Sequence, residues 1–176
     1  MVPAGLSIAA STFDVGQFEQ NIVEFLDGNV VGYAYAMNQN GALATSGADG
    51  DARTAADGQA DFQADTRIEV ASVSKTVTAV AVLKLLQDQN ISVEDKIWPY
   101  LPTAWQSDMG PNITDIEFND LLKHESGFRT SANSYEALQE LISDGVDSDD
   151  YGDFQYLNAN YTLLRVITPY LWRILP

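Results

Sequence analysis

A chain of 176 residues fits one domain, or one and a half, and can bury about 70% of its unfolded surface. Twenty-five acidic against nine basic residues leave a formal charge of −16. That charge excludes a nucleic-acid backbone or an anionic membrane surface as partner, because both require clustered Lys and Arg. Cysteine is absent, which removes disulfides, thiolate metal sites and cysteine nucleophiles, and the single histidine, His124, removes every motif that needs two.

Among the acids Asp outnumbers Glu, and Lys stands only at 75, 84, 96 and 123. An acidic, Lys-poor surface suits a protein that stays dispersed in high salt, where screening relieves self-repulsion. The segment from Met1 to Leu6 has no basic flank and no long apolar stretch, so no signal peptide is expected. No run approaches the 18 or so apolar residues of a membrane span. The expectation is a soluble chain of unspecified compartment.

In chain order, Ser11-Thr12-Phe13-Asp14 can cap a first helix, with Phe18, Ile22, Phe25 and Leu26 at helical spacing and Gly28 as its stop. The run from Val30 to Met37 reads as a strand. Asn40-Gly41 supplies the positive φ angles of a tight hairpin, and Ala42 to Ser46 returns. From Gly47 to Asp65 the sequence is rich in Ala, Asp and Gly without periodicity, which predicts a loop.

Ile68-Glu69-Val70-Ala71 reads as a short approach strand to Ser72. A helix then follows to about Asn90, apolar on more than one side and so expected to be buried. Pro99 and Pro102 interrupt the chain beyond it. Thr114-Asp115-Ile116-Glu117 matches a capping box opening a helix through Leu121-Leu122 that ends near Ser126-Gly127. Ser134 can cap another helix carrying Leu138, Leu141 and Ile142. An acidic loop from Asp144 to Asp153 precedes Tyr156, and Asn160 to Ile167 predicts a helix ending before Pro169.

Three segments can carry chemistry. Ser72-Val73-Ser74-Lys75 is S-x-x-K at a predicted helix start. Residues three apart share a helical face, so the Lys75 amine can reach the Ser72 hydroxyl. A hydroxyl is a poor nucleophile until a neighbouring base takes its proton. The bland reading of the same residues is an N-cap serine followed by a solvated lysine. Tyr156-Leu157-Asn158 is Y-x-N, and a phenol beside an ammonium can share its proton. Leu121-Leu122-Lys123-His124-Glu125-Ser126-Gly127 is the longest. A Ser–His–Asp triad using His124 competes with the lysine reading, although no G-x-S-x-G elbow accompanies it. Asp147 to Tyr151 opens like a calcium loop, but Tyr151 replaces an oxygen ligand and Asn158 stands where the closing Glu belongs. No metal site and no cofactor is expected.

Together, in this order and spacing, the three segments resemble the serine β-lactamase-like superfamily, most of all the class C β-lactamases, their penicillin-binding relatives and the esterases of that fold. The resemblance extends to the hairpin between Val30 and Ser46 and to Ile91-Ser92-Val93-Glu94-Asp95-Lys96. It implies an α+β fold of the β-lactamase/transpeptidase type, an antiparallel sheet with a helical region. Residues 11–66 would give the helix and hairpin, and residues 67–176 the helical region. It further implies Ser72 as the acylated nucleophile, Lys75 as its proton acceptor and Tyr156 as second base or relay. Asn158 would bind substrate and Lys75, with His124, Ser126 and Gly127 structural. The substrate would be a small ester, β-lactam or peptide, with esterase or peptidase activity preferred over true lactamase.

The resemblance also implies a third motif, Lys-Thr-Gly or a variant, on a strand well beyond Tyr-x-Asn, and the chain has no such segment before Pro176. Residues 1–176 are therefore expected to be the N-terminal part of one catalytic domain. A complementary C-terminal polypeptide, or self-association, would complete it. The alternative is a non-catalytic fragment or binding module. The apolar tail Tyr170-Leu171-Trp172-Arg173-Ile174-Leu175 favours a packing partner.

Overall fold

The computed structural model describes residues 13–172. Contacts divide the chain into two units, Met1–Glu69 and Val70–Pro176. In the first, helix α1 (Val15–Leu26) is opened by Asp14, whose carboxylate accepts the Gln17 N–H at 3.0 Å. The Ser11-Thr12 part of the expected cap lies outside the described residues, as do Met1 to Leu6 and Arg173 to Leu175 of the tail. Phe13 meets Phe18 edge-on at 5.2 Å. Strands β1 (Gly32–Gln39), β2 (Ala42–Arg53) and β3 (Ala60–Asp61) form an antiparallel sheet in that order. Asn40 and Gly41, at φ 54° and 81°, make the tight turn their sequence demands.

The expected loop from Gly47 to Asp65 is a correction. Strand β2 continues to Arg53, a 3₁₀ turn follows at Ala55–Asp57, and β3 returns to β2. Small residues conceal this strand because its partners supply the bulk. Tyr35 pairs with Gly47 and Tyr33 with Asp49. A Cβ on Gly47 would overlap the Tyr35 ring. Glu19 of α1 fastens the hairpin by accepting the Tyr35 and Thr45 hydroxyls, each at 2.7 Å.

The second unit is helical: α2 (Ser74–Asp88), α3 (Thr103–Gln106), α4 (Phe118–Lys123), α5 (Tyr135–Asp144) and α6 (Asn158–Trp172). Helix α6 packs against α2, α4 and α5. Leu163, Leu164, Ile167 and Leu171 of α6 are buried, with Val82, Leu85 and Leu86 of α2, Trp105, Phe118, Leu121, Leu138 and Ile142. Ser134 caps α5 as expected, its Oγ accepting the Ala137 N–H at 3.1 Å.

Four expectations change here. Residues 68–70 form no strand; a 3₁₀ turn, Ala71–Val73, leads into α2. Helix α2 is buried on one face only, with Val77 and Val80 each more than 60% exposed. The capping box lies three residues later, between Glu117 and Asp120. The delay has a cause: Glu117 bridges Lys96 as an extended pair, and the Ile97 N–H donates to Ile116 O, so the helix starts only at Phe118. The same helix stops earlier than expected, at His124, which takes the left-handed conformation with φ 63°.

Pro169 does not end α6, which runs on to Trp172. Proline has no N–H for the preceding turn. Buried Ile167 and Leu171, on either side of it, hold the helix in the core. The Thr168 hydroxyl donates to Leu164 O at 2.7 Å in that same turn. Among the described residues no helix is long and apolar enough to cross a membrane.

Candidate active site

Ser72, Lys75, Tyr156 and Asn158 all belong to the helical unit, and the structure brings them together. Ser72 sits in the 3₁₀ turn that opens α2, directly after Ala71, whose φ of 42° is costly for a residue with a Cβ. The turn is tied by the Val73 N–H to Val70 O at 2.9 Å and by the Ser74 hydroxyl to Ala71 O at 2.6 Å. Lys75, one helical turn on, donates from Nζ to Ser72 Oγ at 3.0 Å and to Asn158 Oδ1 at 2.8 Å. A single ammonium thus bridges the start of α2 to the start of α6.

The ring of Tyr156 lies 5.1 Å from Lys75 Nζ and that of Tyr161 5.9 Å, so the ammonium faces two aromatic surfaces. Hydrogen bonding with Ser72, then with Lys75, and the nearby positive charge hold the Tyr156 phenol below its ordinary value. Chemically, such a set can take a proton from a serine hydroxyl, because the phenolate is favoured next to the cation. Tyr156 is about half exposed, leaving the site open to solvent. A groove of about 640 Å³ between α2 and α6 runs beside it, lined by Lys75, Val77, Ala81, Asn158, Thr162 and Arg165.

His124 does not serve Ser72; Lys75 holds that position. Its Nδ1 accepts the Leu157 N–H at 3.3 Å, its carbonyl accepts the Gln155 N–H at 2.8 Å, and its ring lies 4.6 Å from that of Tyr156. Burial, and then the charge of Lys75, push the imidazole below its ordinary value. Ser126 is buried and donates to Asn160 Oδ1 at 2.5 Å. Gly127, at φ 82°, leaves no room for a Cβ against Val146 and the Tyr151 backbone. Asn160 is buried, although from its own segment it reads only as a helix start. An Asn-x-Asn pair entering an apolar helix was the available signal.

Residues 18–168 match the Beta-lactamase family, and the chain belongs to that family, within the serine β-lactamase-like superfamily. Protein flp of Staphylococcus aureus (strain N315) is 28% identical over 113 residues, 58% of this chain and 22% of that protein. The crystal structure of FmtA from Staphylococcus aureus superposes with a TM-score of 0.68 at 22% identity, over 88% of this chain and 44% of FmtA. The class C β-lactamase of Rhodobacter sphaeroides gives 0.64 at 20% identity, over 87% and 42%. The fold is therefore the α+β, β-lactamase/transpeptidase type, and the chain spans less than half the length of these relatives.

Proposed function

We propose that this chain carries the nucleophilic portion of a serine hydrolase that forms an acyl-enzyme on Ser72 from a small ester or amide. The observation that carries this reading is the Lys75 ammonium, shared at 3.0 Å with Ser72 Oγ and at 2.8 Å with Asn158 Oδ1 beside the Tyr156 phenol. Ser72 Oγ attacks the carbonyl carbon while its proton passes to the Tyr156–Lys75 pair. The tetrahedral intermediate collapses, the C–O or C–N bond breaks, and the same pair returns the proton to the departing alkoxide or amine. Water, deprotonated by that pair, then attacks the ester carbonyl and releases the acid with Ser72 restored. The Ser72 N–H, at the start of α2 where helical N–H groups lack intrahelical acceptors, serves as one oxyanion donor. Asn158 holds Lys75 and the substrate amide or ester.

Residues 1–176 are on this reading the N-terminal part of one catalytic domain, divided at about residue 66. The chain spans 44% of the length of FmtA. The likeness to a class C β-lactamase and a penicillin-binding protein homologue supplies the fold, and the acyl-enzyme is read from the site geometry. Ester or peptide substrates are preferred over β-lactams.

A fluorophosphonate probe followed by intact mass is the test. One adduct per chain, absent from Ser72→Ala, supports the reading. No adduct on the wild type, or one that persists in Ser72→Ala, overturns it. A second reading, a binding module, is favoured by the exposed Val73 just before α2 and Val77 and Val80 within it, which suit a complementary polypeptide or a second copy. A compact monomer by native mass spectrometry at all concentrations would remove that support.

A further inference from the structure

We propose that buried His124, Asn160 and Ser126 form a clamp that sets Tyr156 and Asn158 against Lys75, and that it holds only while His124 is a neutral acceptor through Nδ1. This rests on the acyl-enzyme reading of the same site and assigns His124 as a positioning residue. The backbone on both sides of Tyr156 is fastened to one residue. The Gln155 N–H donates to His124 O at 2.8 Å and the Leu157 N–H to His124 Nδ1 at 3.3 Å. His124 is in turn fixed as the left-handed cap of α4, its N–H on the Asp120 and Leu121 carbonyls. Tyr156 thus inherits its place from the end of α4, and its ring packs against the imidazole at 4.6 Å.

The tautomer follows from the donors. Ser126 Oγ donates to Asn160 Oδ1, which turns the Asn160 amide nitrogen towards His124 Nδ1 at 3.2 Å. Two N–H groups, from Leu157 and Asn160, therefore face Nδ1, and the ring proton resides on Nε2. A proton on Nδ1 would confront both donors inside a site where Asn160 and Ser126 are 1% exposed and His124 7%.

The surrounding charges oppose it too. Lys75 of α2 faces the ring, as do Tyr156 and, from α6, Tyr161 at 5.2 Å; Phe154 adds an apolar edge at 6.1 Å. On the ring's own segment Lys123 and Glu125 pair with each other at 3.7 Å. Acidification removes the acceptor from Leu157, frees Tyr156 from Lys75, and returns the phenol towards its ordinary titration.

These 176 residues hold one histidine, so a ¹⁵N spectrum of this chain shows a single imidazole. The Nε2–H tautomer is expected, titrating below the ordinary imidazole value because of burial and the charge of Lys75. Tyrosine ¹³Cζ signals, with Tyr156 assigned by Tyr156→Phe, should show a phenol titrating below its ordinary value. Asn160→Asp puts a carboxylate against Nδ1 and should raise the imidazole titration while moving that of Tyr156 upward. His124→Gln keeps an acceptor that does not titrate, so the Tyr156 signal should stay where it is in the wild type. The part of the acid limb of Ser72 labelling that follows the imidazole, about tenfold per pH unit for a one-proton step, should be absent in that variant, while the part that follows protonation of Tyr156 stays.

An Nδ1–H tautomer in the wild type, or a Tyr156 titration indifferent to Asn160→Asp, overturns the clamp. The spectra need no turnover. Failure of Ser72 to label while the spectra behave as stated therefore overturns the hydrolase reading and leaves the clamp standing.

Discussion

From Val82 onward the chain buries its apolar side chains in one continuous core, whereas between residues 13 and 69 no described side chain is fully buried. In that first stretch Phe25, Val31 and Leu43 are each more than 60% exposed. The two units hold together by different means. The helical unit has hydrophobic burial, which is non-directional and cumulative. The sheet unit relies on its strand ladder and on Glu19, which ties α1 to two strand residues. A small sheet without a buried face is marginal in water. Ser72, Lys75, Tyr156 and Asn158 stand on the well-cored unit, where helix ends separated by more than 80 residues of sequence can be kept within hydrogen-bond distance.

The largest effects should follow that division. Trp105→Ala empties a fully buried site that also packs Tyr135 at 4.7 Å, and should cost about 3–5 kcal/mol. Phe25→Ala, at 77% exposure, should stay within about 0.5 kcal/mol. Urea unfolding of both variants compares them directly, and equal losses would erase the contrast between the units. Native-state hydrogen exchange refines it: amides of β2 and β3 should exchange before those of α6 around Leu163 and Ile167. Protection in β2 equal to that in α6 would mean that the sheet is stabilised by more than its own contacts.

What the sequence disclosed divides along a different line, between local and distant causes. Ser72 and Lys75 were legible because a helix alone brings them together, and Ser134 as a cap needed only its own turn. The hairpin at Asn40-Gly41 was equally local. Tyr156 and Asn158 became candidates through the family pattern, because nothing within their own segment reveals that Lys75 waits on another helix. The second half of β2 was missed because Gly47 and Ala48 owe their strand to Tyr35 and Ala34 opposite. The capping box slipped because Ile97 and Lys96 claim residues 116 and 117 first. Pro169 reads locally as a helix stop, yet core packing on both sides outweighs one missing N–H. Asn160 carried no local sign of the two partners, Ser126 and His124, that explain its burial.

A smaller effect concerns charge. With −16 on 176 residues, self-repulsion opposes compaction of both units, and salt screens it. The melting temperature should rise between dilute buffer and molar NaCl, and a flat or falling response would remove the ground for a high-salt surface. The rise should be reproduced by Glu19→Gln, because that variant removes one local contact and leaves most of the charge in place.

The finest test of the sheet unit is alkaline. Hydrogen bonding to Glu19, followed by burial, raises the Tyr35 phenol to about 12. A folded value above the ordinary one means that the contribution to stability is complete below about pH 10 and is lost as pH rises through about 12. The same bond, with that from Thr45, lowers the Glu19 carboxyl, so its contribution is present above about pH 4.5 and lost on acidification. Absorbance of the ionised phenols should therefore show one fewer late-titrating tyrosine in Glu19→Gln than in the wild type, with partly buried Tyr151 titrating late in both. The hairpin amides should lose protection between pH 10 and 12 in the wild type alone. If Tyr35 titrated normally in both proteins, Glu19 would not fasten α1 to β1 and β2, and the sheet unit would have to be held by its strand ladder alone.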